Sequence, residues 1–588
     1  MSSPEPTLAP HPLTGDDPTQ PSRRTFLNWG TVLLGGTVAA PLAGCGHMNL
    51  SDTLREPSEL LPTNGVLSLQ LAAQYATDPL KVSAASVQSV YPAPSTNVDA
   101  AMRRYGSGLP APTLRVKPGD TIRIKLVNAL PPSPKGQSKL GFLNYQNSTN
   151  LHFHGLHVSP DRVGEVYGDY VVDAPDAGVL PGSERQHEIV IPKSHPPGVF
   201  WYHPHLHGSS GGQVGSGMFG AIVIEDPSNR LYDPQLIRER VIFVHKYNLN
   251  SAGRTDSFYD SAVTSPTGFL LNGAHQPTLS MRPGEVQVWH FINAATYYSF
   301  NPILDGHTIY AFARDGDPIP EGFRPANAQA AAAFSPANWS KNIQAWPGTF
   351  ASPGSRLSFV VKASDTPGDY LLRSALSPWF NGPAQYEEVV ARVRVEGDPK
   401  PLSLPTAAEL TTYVQRYFQG YFKPISDEEL ARGGGKTRNV LLGVVGLTDP
   451  LIAQPIPASE GWSIPVGDGA DSLAGIVFAA GDASGLAPFQ SSSRSKTQTV
   501  RLNDVEEWTV QGVDNFPHPF HIHVNDSWVV KINGQTLSNP FWADTVTIPP
   551  GGSITFRMRF EDFKGPFVWH CHALDHEDLG MMQLVQVV

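Results

Sequence analysis

The sequence predicts an all-β protein of three domains, each an antiparallel β-sandwich or barrel of Greek-key type. The 588 residues include 54 Gly and 55 Pro, a density that interrupts long helices and suits short strands joined by turns. At ~150 residues per domain, this length corresponds to three or four domains. Alternating apolar and polar segments recur between the turns, as expected of half-buried strands.

Two sequence signatures repeat along the chain. The pattern Pro-Thr-Leu, followed by Pro-Gly and an acid, occupies residues 112–120 and again 277–285, and it leads into alternating strands at 121–127 and 286–292. A second signature, Pro-Gly-Ser or Pro-Gly-Gly-Ser, opens an alternating strand in each third of the chain, at residues 181–183, 353–355 and 550–553. Self-similarity of this kind indicates three related β domains.

Breaks rich in Pro, Ser, Thr or Gly set the predicted boundaries. A helix is predicted in the second linker, over residues 406–418. The expected order is an export signal at 1–44, a linker at 45–64, domains at 65–230 and 231–400, a linker at 401–435, and a third domain at 436–588.

The first 44 residues resemble a twin-arginine lipoprotein signal. Arg23 and Arg24 precede a weakly apolar, Gly-rich stretch that ends at Cys45 in a lipoprotein box. An uncleaved membrane anchor is the alternative, but the stretch is short and contains Asn28 and Pro41. We therefore expect the twin-arginine export machinery as a partner, lipidation of Cys45 as the attachment to a membrane, and a periplasmic or cell-envelope lipoprotein.

Net charge and cysteine content limit the classes of partner and of site that the chain can have. With 42 Lys and Arg against 53 Asp and Glu, the net charge is −11, so we expect no nucleic acid partner. The only two cysteines are Cys45 and Cys571. A disulfide between them is an alternative, but one lies in the targeting segment and the other lies between two histidines.

Ten of the 20 histidines lie in four clusters. In a strand, residues i and i+2 share a face roughly 6.6 Å apart, so each His-x-His pair directs two rings into one space. Because the pairs belong to the first and third domains, we expect a metal cluster between these domains and a middle domain that acts as a spacer. The clusters contain His152 and His154; His203 and His205; His518, His521 and His523; and His570, His572 and His576.

Cys571 lies between His570 and His572 and therefore points to the opposite face of its strand. One thiolate, the two imidazoles of His518 and His576, and the nearby thioether of Met581 form the ligand set of a blue-copper electron-transfer site. A structural buried cysteine is the alternative. If both sites form, one residue of backbone connects them.

These four motifs resemble those of the multicopper oxidases, a family that includes laccases, bilirubin oxidases and cuprous oxidases. The resemblance covers nearly all of the mature chain and implies cupredoxin-like domains and four copper ions. It implies a type 1 copper at His518, Cys571, His576 and Met581, and a type 2 copper at His152 and His521. It also implies a type 3 pair, with one ion at His154, His203 and His572 and the other at His205, His523 and His570.

Two acids follow from the same resemblance as candidates for proton transfer. Glu577 directly follows His576, and Glu165 lies eleven residues after His154, although Asp161 and Asp169 compete with Glu165 for that role. His157 and His207 have no place in the family pattern, and we interpret them as neighbours of ligands or ordinary loop residues.

The expected function is one-electron oxidation of a phenol-like or aromatic reductant coupled to four-electron reduction of O2 to water. Oxidation of Fe(II) or Cu(I) is the alternative, although the chain has only 8 Met and no Met-rich insertion. A non-catalytic copper-binding envelope scaffold is an alternative of another class. A copper nitrite reductase shares the fold but does not need four His-x-His pairs.

Overall fold

A computed structural model describes residues 53–84, 89–133, 145–174, 177–249, 265–333, 335, 338–346, 348–376, 387–446, 449–452, 476–489 and 497–588. The predicted export signal and Cys45 lie outside the described residues. Among those described, no helix has both the length and the apolar character needed to cross a membrane.

The first domain consists of two sheets, in the strand orders β3-β2-β5-β9-β8-β7 and β1-β4-β11-β10-β6. Leu, Ile and Val side chains from the two sheets, among them Ile122, Ile124 and Ile222, pack into one core. The strands are β1 (Glu59–Leu60), β2 (Val66–Val82), β3 (Thr96–Tyr105), β4 (Ala111–Val116), β5 (Thr121–Asn128), β6 (His152–His154), β7 (Arg162–Val163), β8 (Val166–Tyr167), β9 (Glu184–Val190), β10 (Gly198–His203) and β11 (Gly220–Ile224).

The middle domain pairs a large sheet, β16-β15-β12-β18-β23-β20-β21 with β22 beside β20, with a smaller sheet, β17-β25-β24-β19. A separate two-stranded sheet joins β13 to β14. The strands are β12 (Arg238–His245), β13 (Asn248–Leu249), β14 (Ser265–Pro266), β15 (Leu270–Leu271), β16 (Ala274–His275), β17 (Thr278–Met281), β18 (Val286–Asn293), β19 (Pro302–Leu304), β20 (Ile309–Arg314), β21 (Asp317–Pro318), β22 (Arg324–Ala326), β23 (Arg356–Lys362), β24 (Gly368–Ser374) and β25 (Glu388–Val395).

The third domain has the sheets β28-β27-β26-β30-β35-β32-β33 and β29-β37-β36-β31-β34. Its core contains Trp508, Trp569 and Cys571. The strands are β26 (Lys436–Gly446), β27 (Ile476–Asp482), β28 (Gly485–Ala487), β29 (Thr497–Val500), β30 (Val505–Gly512), β31 (His518–Ile522), β32 (Ser527–Ile532), β33 (Gln535–Ala543), β34 (Thr545–Ile548), β35 (Ser553–Arg559), β36 (Gly565–Cys571) and β37 (Met582–Val587).

Helices are few and short. The predicted linker helix is confirmed as α3, where Thr406 caps the N-terminus and Glu409 completes the capping box. The described helices are α1 (Ser210–Ser216), α2 (Ala328–Ala333), a 3-10 helix (Trp339–Ala345), α3 (Ala407–Gly420), α4 (Asp427–Arg432) and α5 (Leu574–Asp578).

The repeated signature places an equivalent asparagine in the first and middle domains. Asn128 ends β5 and donates to the carbonyls of Asn147 and Val179. Asn293 ends β18 and donates to the carbonyls of Tyr298 and Ala351. Each side chain therefore supports the loop beside its strand in the same way, as expected of a duplicated domain.

The all-β class is confirmed, but the sheets are mixed and not purely antiparallel. Each of the six larger sheets contains a parallel pair, such as β2 with β5, β12 with β18 and β26 with β30. The physical reason is that these strands are connected by crossovers and not by tight hairpins. The domain boundaries stay predictions.

Candidate metal centre

The paired histidines lie on, or within two residues after, strands that are direct neighbours within their sheets. In the first domain, β6 pairs with β10, and His152 lies opposite His203. In the third domain, β31 pairs with β36, and His521 lies opposite His570. Each sheet therefore supplies one half of the centre. The eight histidines of the predicted type 2 and type 3 sites are at most 1% exposed.

The two halves meet across the domain interface. The rings of His154 and His521 stack at a centroid distance of 3.8 Å, and those of His152 and His523 stack at the same distance. Within each of three groups, all ligand nitrogens lie within 4.8 Å of one another. The groups are His154, His203 and His572; His205, His523 and His570; and His152, His154 and His521.

The geometry of the second group, His205, His523 and His570, suits a metal ion. The Nε2 atoms of His205 and His523 lie 3.0 and 3.3 Å from Nε2 of His570. Nδ1 of His570 lies 3.1 Å from the Cys571 carbonyl, which places the proton on Nδ1 and leaves a lone pair on Nε2. Three ring nitrogens directed at one point suit a shared cation.

His152 and His521 likewise have one ring nitrogen bound to an oxygen atom and the other available to a metal. Nδ1 of His152 lies 2.9 Å from the Asp169 carboxylate, and Nδ1 of His521 lies 2.9 Å from the Asp544 carbonyl. Both Nε2 atoms are buried and have no hydrogen-bond partner in the described structure. Buried polar atoms without partners are costly, and a copper ion would satisfy both.

The protonation state of the rings also fits metal binding. Burial, and then the neighbouring histidines, lowers the pKa of His152, His154, His205 and His523 well below its usual value. Burial lowers the pKa of His203 to about 3. Near neutral pH these rings are therefore uncharged, which is the form that binds metals.

Cys571 belongs to a separate, adjacent group. Its Sγ lies 3.6 Å from Nδ1 of His518 and 3.6 Å from Nδ1 of His576, and all three side chains are buried. Backbone hydrogen bonds from Cys571 to the Met581 carbonyl and from Met581 to the His576 carbonyl hold Met581 at this site. The sulfur-imidazole set fits a blue copper, while the axial role of Met581 stays a prediction.

Of the candidate acids, Glu577 lies within the centre. It is fully buried, its Oε1 accepts a hydrogen bond from Ser210 at 2.9 Å, and its Oε2 lies 3.2 Å from Nδ1 of His570. Burial, and then the neighbouring Asp578, raises the pKa of Glu577 well above its usual value. The side chain is therefore placed to hold a proton beside the group of His205, His523 and His570.

Glu165 does not lie at the histidines in the described structure. It is exposed at the turn between β7 and β8, and Asp161 nearby is also exposed. Asp169 is buried and contacts His152, so it is the acid of this segment that reaches the centre. Asp169 lies 17 residues after His152, and this spacing gave no reason to prefer it over Asp161 or Glu165.

His157 and His207 remain outside the metal groups among the described residues. Nδ1 of His157 lies 2.7 Å from the Val524 carbonyl, and its Nε2 lies 3.1 Å from Asp562, so this ring connects the first and third domains. His207 is buried, and its ring lies 5.2 Å from that of Phe489.

The expectation that the middle domain is only a spacer is wrong. A Cβ added to Gly354 would lie 2.8 Å from the His572 ring, the Tyr297 ring lies 5.9 Å from that of His576, and Arg356 forms an ion pair with Asp544. Turns and strand ends of this domain reach the centre although they carry no histidine pair. Sequence reasoning therefore missed Arg356 and Asp544.

Sequence reasoning also missed Asp514. Its Oδ1 lies 2.9 Å from Nε2 of His518, so the ring is held from the side opposite Cys571. The signal that could have found it is its position four residues before His518, at the entrance to β31.

Comparisons with known proteins agree with this geometry. Residues 140–229 and 477–588 each match a family model described as multicopper oxidase. The chain is 24% identical to the iron transport multicopper oxidase FET5 of Saccharomyces cerevisiae, over 80% of this chain and 74% of that protein. It is 22% identical to a laccase of Bacillus subtilis, over 82% of this chain and 89% of that one.

Solved structures share the fold. A multicopper oxidase from Campylobacter jejuni, described as a metallo-oxidase, matches with a TM-score of 0.62 and 20% identity over 92% of this chain and 96% of that one. A multicopper oxidase from Pediococcus acidilactici matches with a TM-score of 0.60 and 16% identity over 92% of both chains. The two family-model matches, these relatives and the grouped histidines together support a three-domain multicopper oxidase, a class of copper-dependent oxidoreductases that use O2 and bind four copper ions.

Proposed function

We propose that the protein couples one-electron oxidation of a phenolic or aromatic reductant at a type 1 copper to four-electron reduction of O2 to water at a trinuclear copper cluster between the first and third domains. The observation that carries this proposal is the convergence of eight buried histidines from these domains, with Cys571 joining them to a second site. The copper ions, when bound, supply the one-electron redox chemistry and the binding of O2.

The chain connects the two sites through covalent bonds. Cys571 belongs to the sulfur site, while His570 and His572, on either side of it, belong to two different histidine groups. An electron that reaches the Cys571 sulfur therefore needs to cross only one residue of backbone to reach either of these histidines. The buried strand β36 also keeps this path away from solvent.

Reduction of O2 to water also consumes protons. Glu577 is the side chain best placed to deliver them, because its carboxyl lies next to His205 and His570 and contacts Ser210. A buried carboxyl that stays protonated can give a proton to a developing oxygen base. Asp169, bound to His152, holds that ring with its Nε2 facing the other histidines.

The surroundings of His576 favour an aromatic reductant. The rings of Phe478 and Tyr297 lie 5.0 and 5.9 Å from that of His576, which is 8% exposed. Aromatic side chains beside a ligand edge offer stacking surfaces to a phenol or an aromatic amine. The reductant therefore meets the type 1 site at this edge in our proposal.

Oxidation of Fe(II) or Cu(I) is the second candidate, and Asp514 favours it. This carboxylate lies against His518 and retains 9% exposure of its side chain, so it could attract a cation close to the sulfur site. A relative is named an iron transport oxidase, and a structural neighbour is described as a metallo-oxidase. A non-catalytic envelope scaffold is less well supported, because no histidine or cysteine of the predicted copper groups is missing from the sequence.

The experiment is a reductant panel on the copper-loaded protein with an oxygen electrode. Phenols and aromatic amines should drive O2 consumption, with one O2 used per four electrons and no accumulation of hydrogen peroxide. Faster turnover of Fe(II) or Cu(I) than of any phenol would favour the metallo-oxidase. If the protein binds copper but no reductant drives O2 consumption, the result would support the non-catalytic scaffold.

We also propose export through the twin-arginine pathway and attachment to a membrane by a lipid on Cys45. Arg23, Arg24 and the lipoprotein box support this proposal. A Cys45→Ala variant should be exported but appear in the soluble envelope fraction, and mass spectrometry of the wild-type N-terminus should find the lipid. Equal membrane retention of both forms would contradict the anchor.

A further inference from the structure

One side chain of the middle domain contacts both other domains beside the metal centre. Arg356 begins β23, directly after the turn formed by residues 353–355, and is 1% exposed. Its Nε donates to the Val199 carbonyl of the first domain at 3.1 Å. Its Nη1 and Nη2 donate to the two carboxylate oxygens of Asp544 in the third domain, at 2.7 and 2.5 Å.

Asp544 in turn contacts two of the histidine rings. Its Oδ1 lies 3.1 Å from Nε2 of His154, and its backbone carbonyl lies 2.9 Å from Nδ1 of His521. Thr545 donates to the same Oδ1 at 2.7 Å. The forked ion pair is therefore connected to one histidine of the first domain and one of the third.

This arrangement fixes which nitrogen of His154 faces the metal groups. An ionised carboxylate accepts hydrogen bonds only, so the proton of His154 resides on Nε2. The lone pair then lies on Nδ1, which is 3.4 Å from Nε2 of His203. Outer partners of this kind set the tautomer and the orientation of metal-binding histidines.

The backbone is adapted to this close approach. A Cβ at Gly155, the residue after His154, would lie 2.4 Å from Nη2 of Arg356 and 2.6 Å from Oδ2 of Asp544. Gly155 has a φ of +82°, which favours glycine as well. The segment beside His154 therefore has room for the ion pair only because no side chain is present there.

We propose that Arg356 is a positioning residue through which the middle domain holds His154 and His521 in the orientation that copper binding requires. The inference rests on the proposed function of these histidines as copper ligands. It gives the middle domain a part in the trinuclear site, to which it contributes no ligand in our assignment.

The test compares Arg356→Met and Arg356→Lys with the wild type. Methionine removes the charge and the fork, whereas lysine keeps a charge but cannot donate to both oxygens of Asp544 in the planar geometry of a guanidinium. Arg314→Met is the matched control, because Arg314 is also buried at the end of β20 and donates to the carbonyls of Gly348 and Phe350.

Copper content after dialysis against graded chelators and the electron paramagnetic resonance spectrum of the non-blue copper are the readouts. We expect Arg356→Met to bind the trinuclear copper about 10- to 100-fold more weakly and to change this spectrum, while the blue absorption at Cys571 is retained. Arg356→Lys should lie between Arg356→Met and the wild type, and Arg314→Met should match the wild type.

Arg356→Lys keeps the test decisive if Arg356→Met does not fold, because a cation remains beside the buried Asp544. Wild-type copper content and spectra in Arg356→Lys, or in folded Arg356→Met, would overturn the proposal for Arg356 alone. A wild-type protein that binds no copper at the histidine groups would instead overturn the proposed function.

Discussion

The substitution Glu577→Gln separates the delivery of protons from the delivery of electrons. Glutamine keeps the size of the side chain and can still accept the hydrogen bond from Ser210, but it has no proton to give. Because Glu577 is fully buried beside His205 and His570, bulk water cannot easily replace it. Loss of a positioned general acid slows a step by about 10²- to 10⁴-fold, or about 3 to 5 kcal/mol of barrier.

The assay follows the blue colour in two stopped-flow experiments. Anaerobic mixing with reductant should bleach Glu577→Gln at the wild-type rate, because the surroundings of Cys571 are unchanged. Mixing the reduced protein with oxygenated buffer should restore the colour about 10²- to 10⁴-fold more slowly. Ser210→Ala is the control and should slow this step less than about 10-fold, since a neutral hydrogen bond contributes about 1 kcal/mol. An unchanged oxygen step, or equal slowing of both steps, would refute the assignment of Glu577.

Three further predictions follow from the same geometry. Cys571→Ser should abolish the blue absorption and the oxidase activity together while circular dichroism remains native, and residual activity with full reductant turnover would contradict the electron path. Gly354→Ala should perturb the copper spectra, because its Cβ would lie 2.8 Å from the His572 ring; Gly182→Ala, with a similar φ and no atom within 4 Å, controls for backbone strain, and equal effects would contradict the contact. Burial lowers the pKa of His195 to about 3, so below pH 6.5 the unfolded state binds the proton first and stability falls as the pH falls. Between pH 7 and 5 the unfolding free energy of the wild type should therefore drop about 2 kcal/mol more than that of His195→Gln, and parallel curves in chemical denaturation would contradict this.

Features with a local sequence signature were predictable. Alternation located the strands at 121–127 and 286–292, which the structure extends by one residue each, because strand periodicity is a property of neighbouring residues. The helix predicted over residues 406–418 is present as α3, and the capping box of Thr406 and Glu409 at its start is likewise a pattern of neighbouring residues. The His-x-His spacing likewise predicted which rings share a face.

Contacts between distant residues were not predictable in the same way. Arg356 and Asp544 are 188 residues apart, and neither belongs to a motif that requires the other. The choice among Asp161, Glu165 and Asp169 depends on the course of β7 and β8, which exposes the first two acids and buries the third. One sequence carries no signal for such packing, so the middle domain was wrongly predicted to be a spacer.

Anomalous diffraction at the copper edge, from crystals of the copper-loaded protein, tests the arrangement most directly. We predict three neighbouring peaks enclosed by the eight histidines of the three groups and a fourth peak beside Cys571. A single peak, or peaks that lie away from these side chains, would contradict the assignment of a trinuclear cluster fed by a sulfur-bound copper.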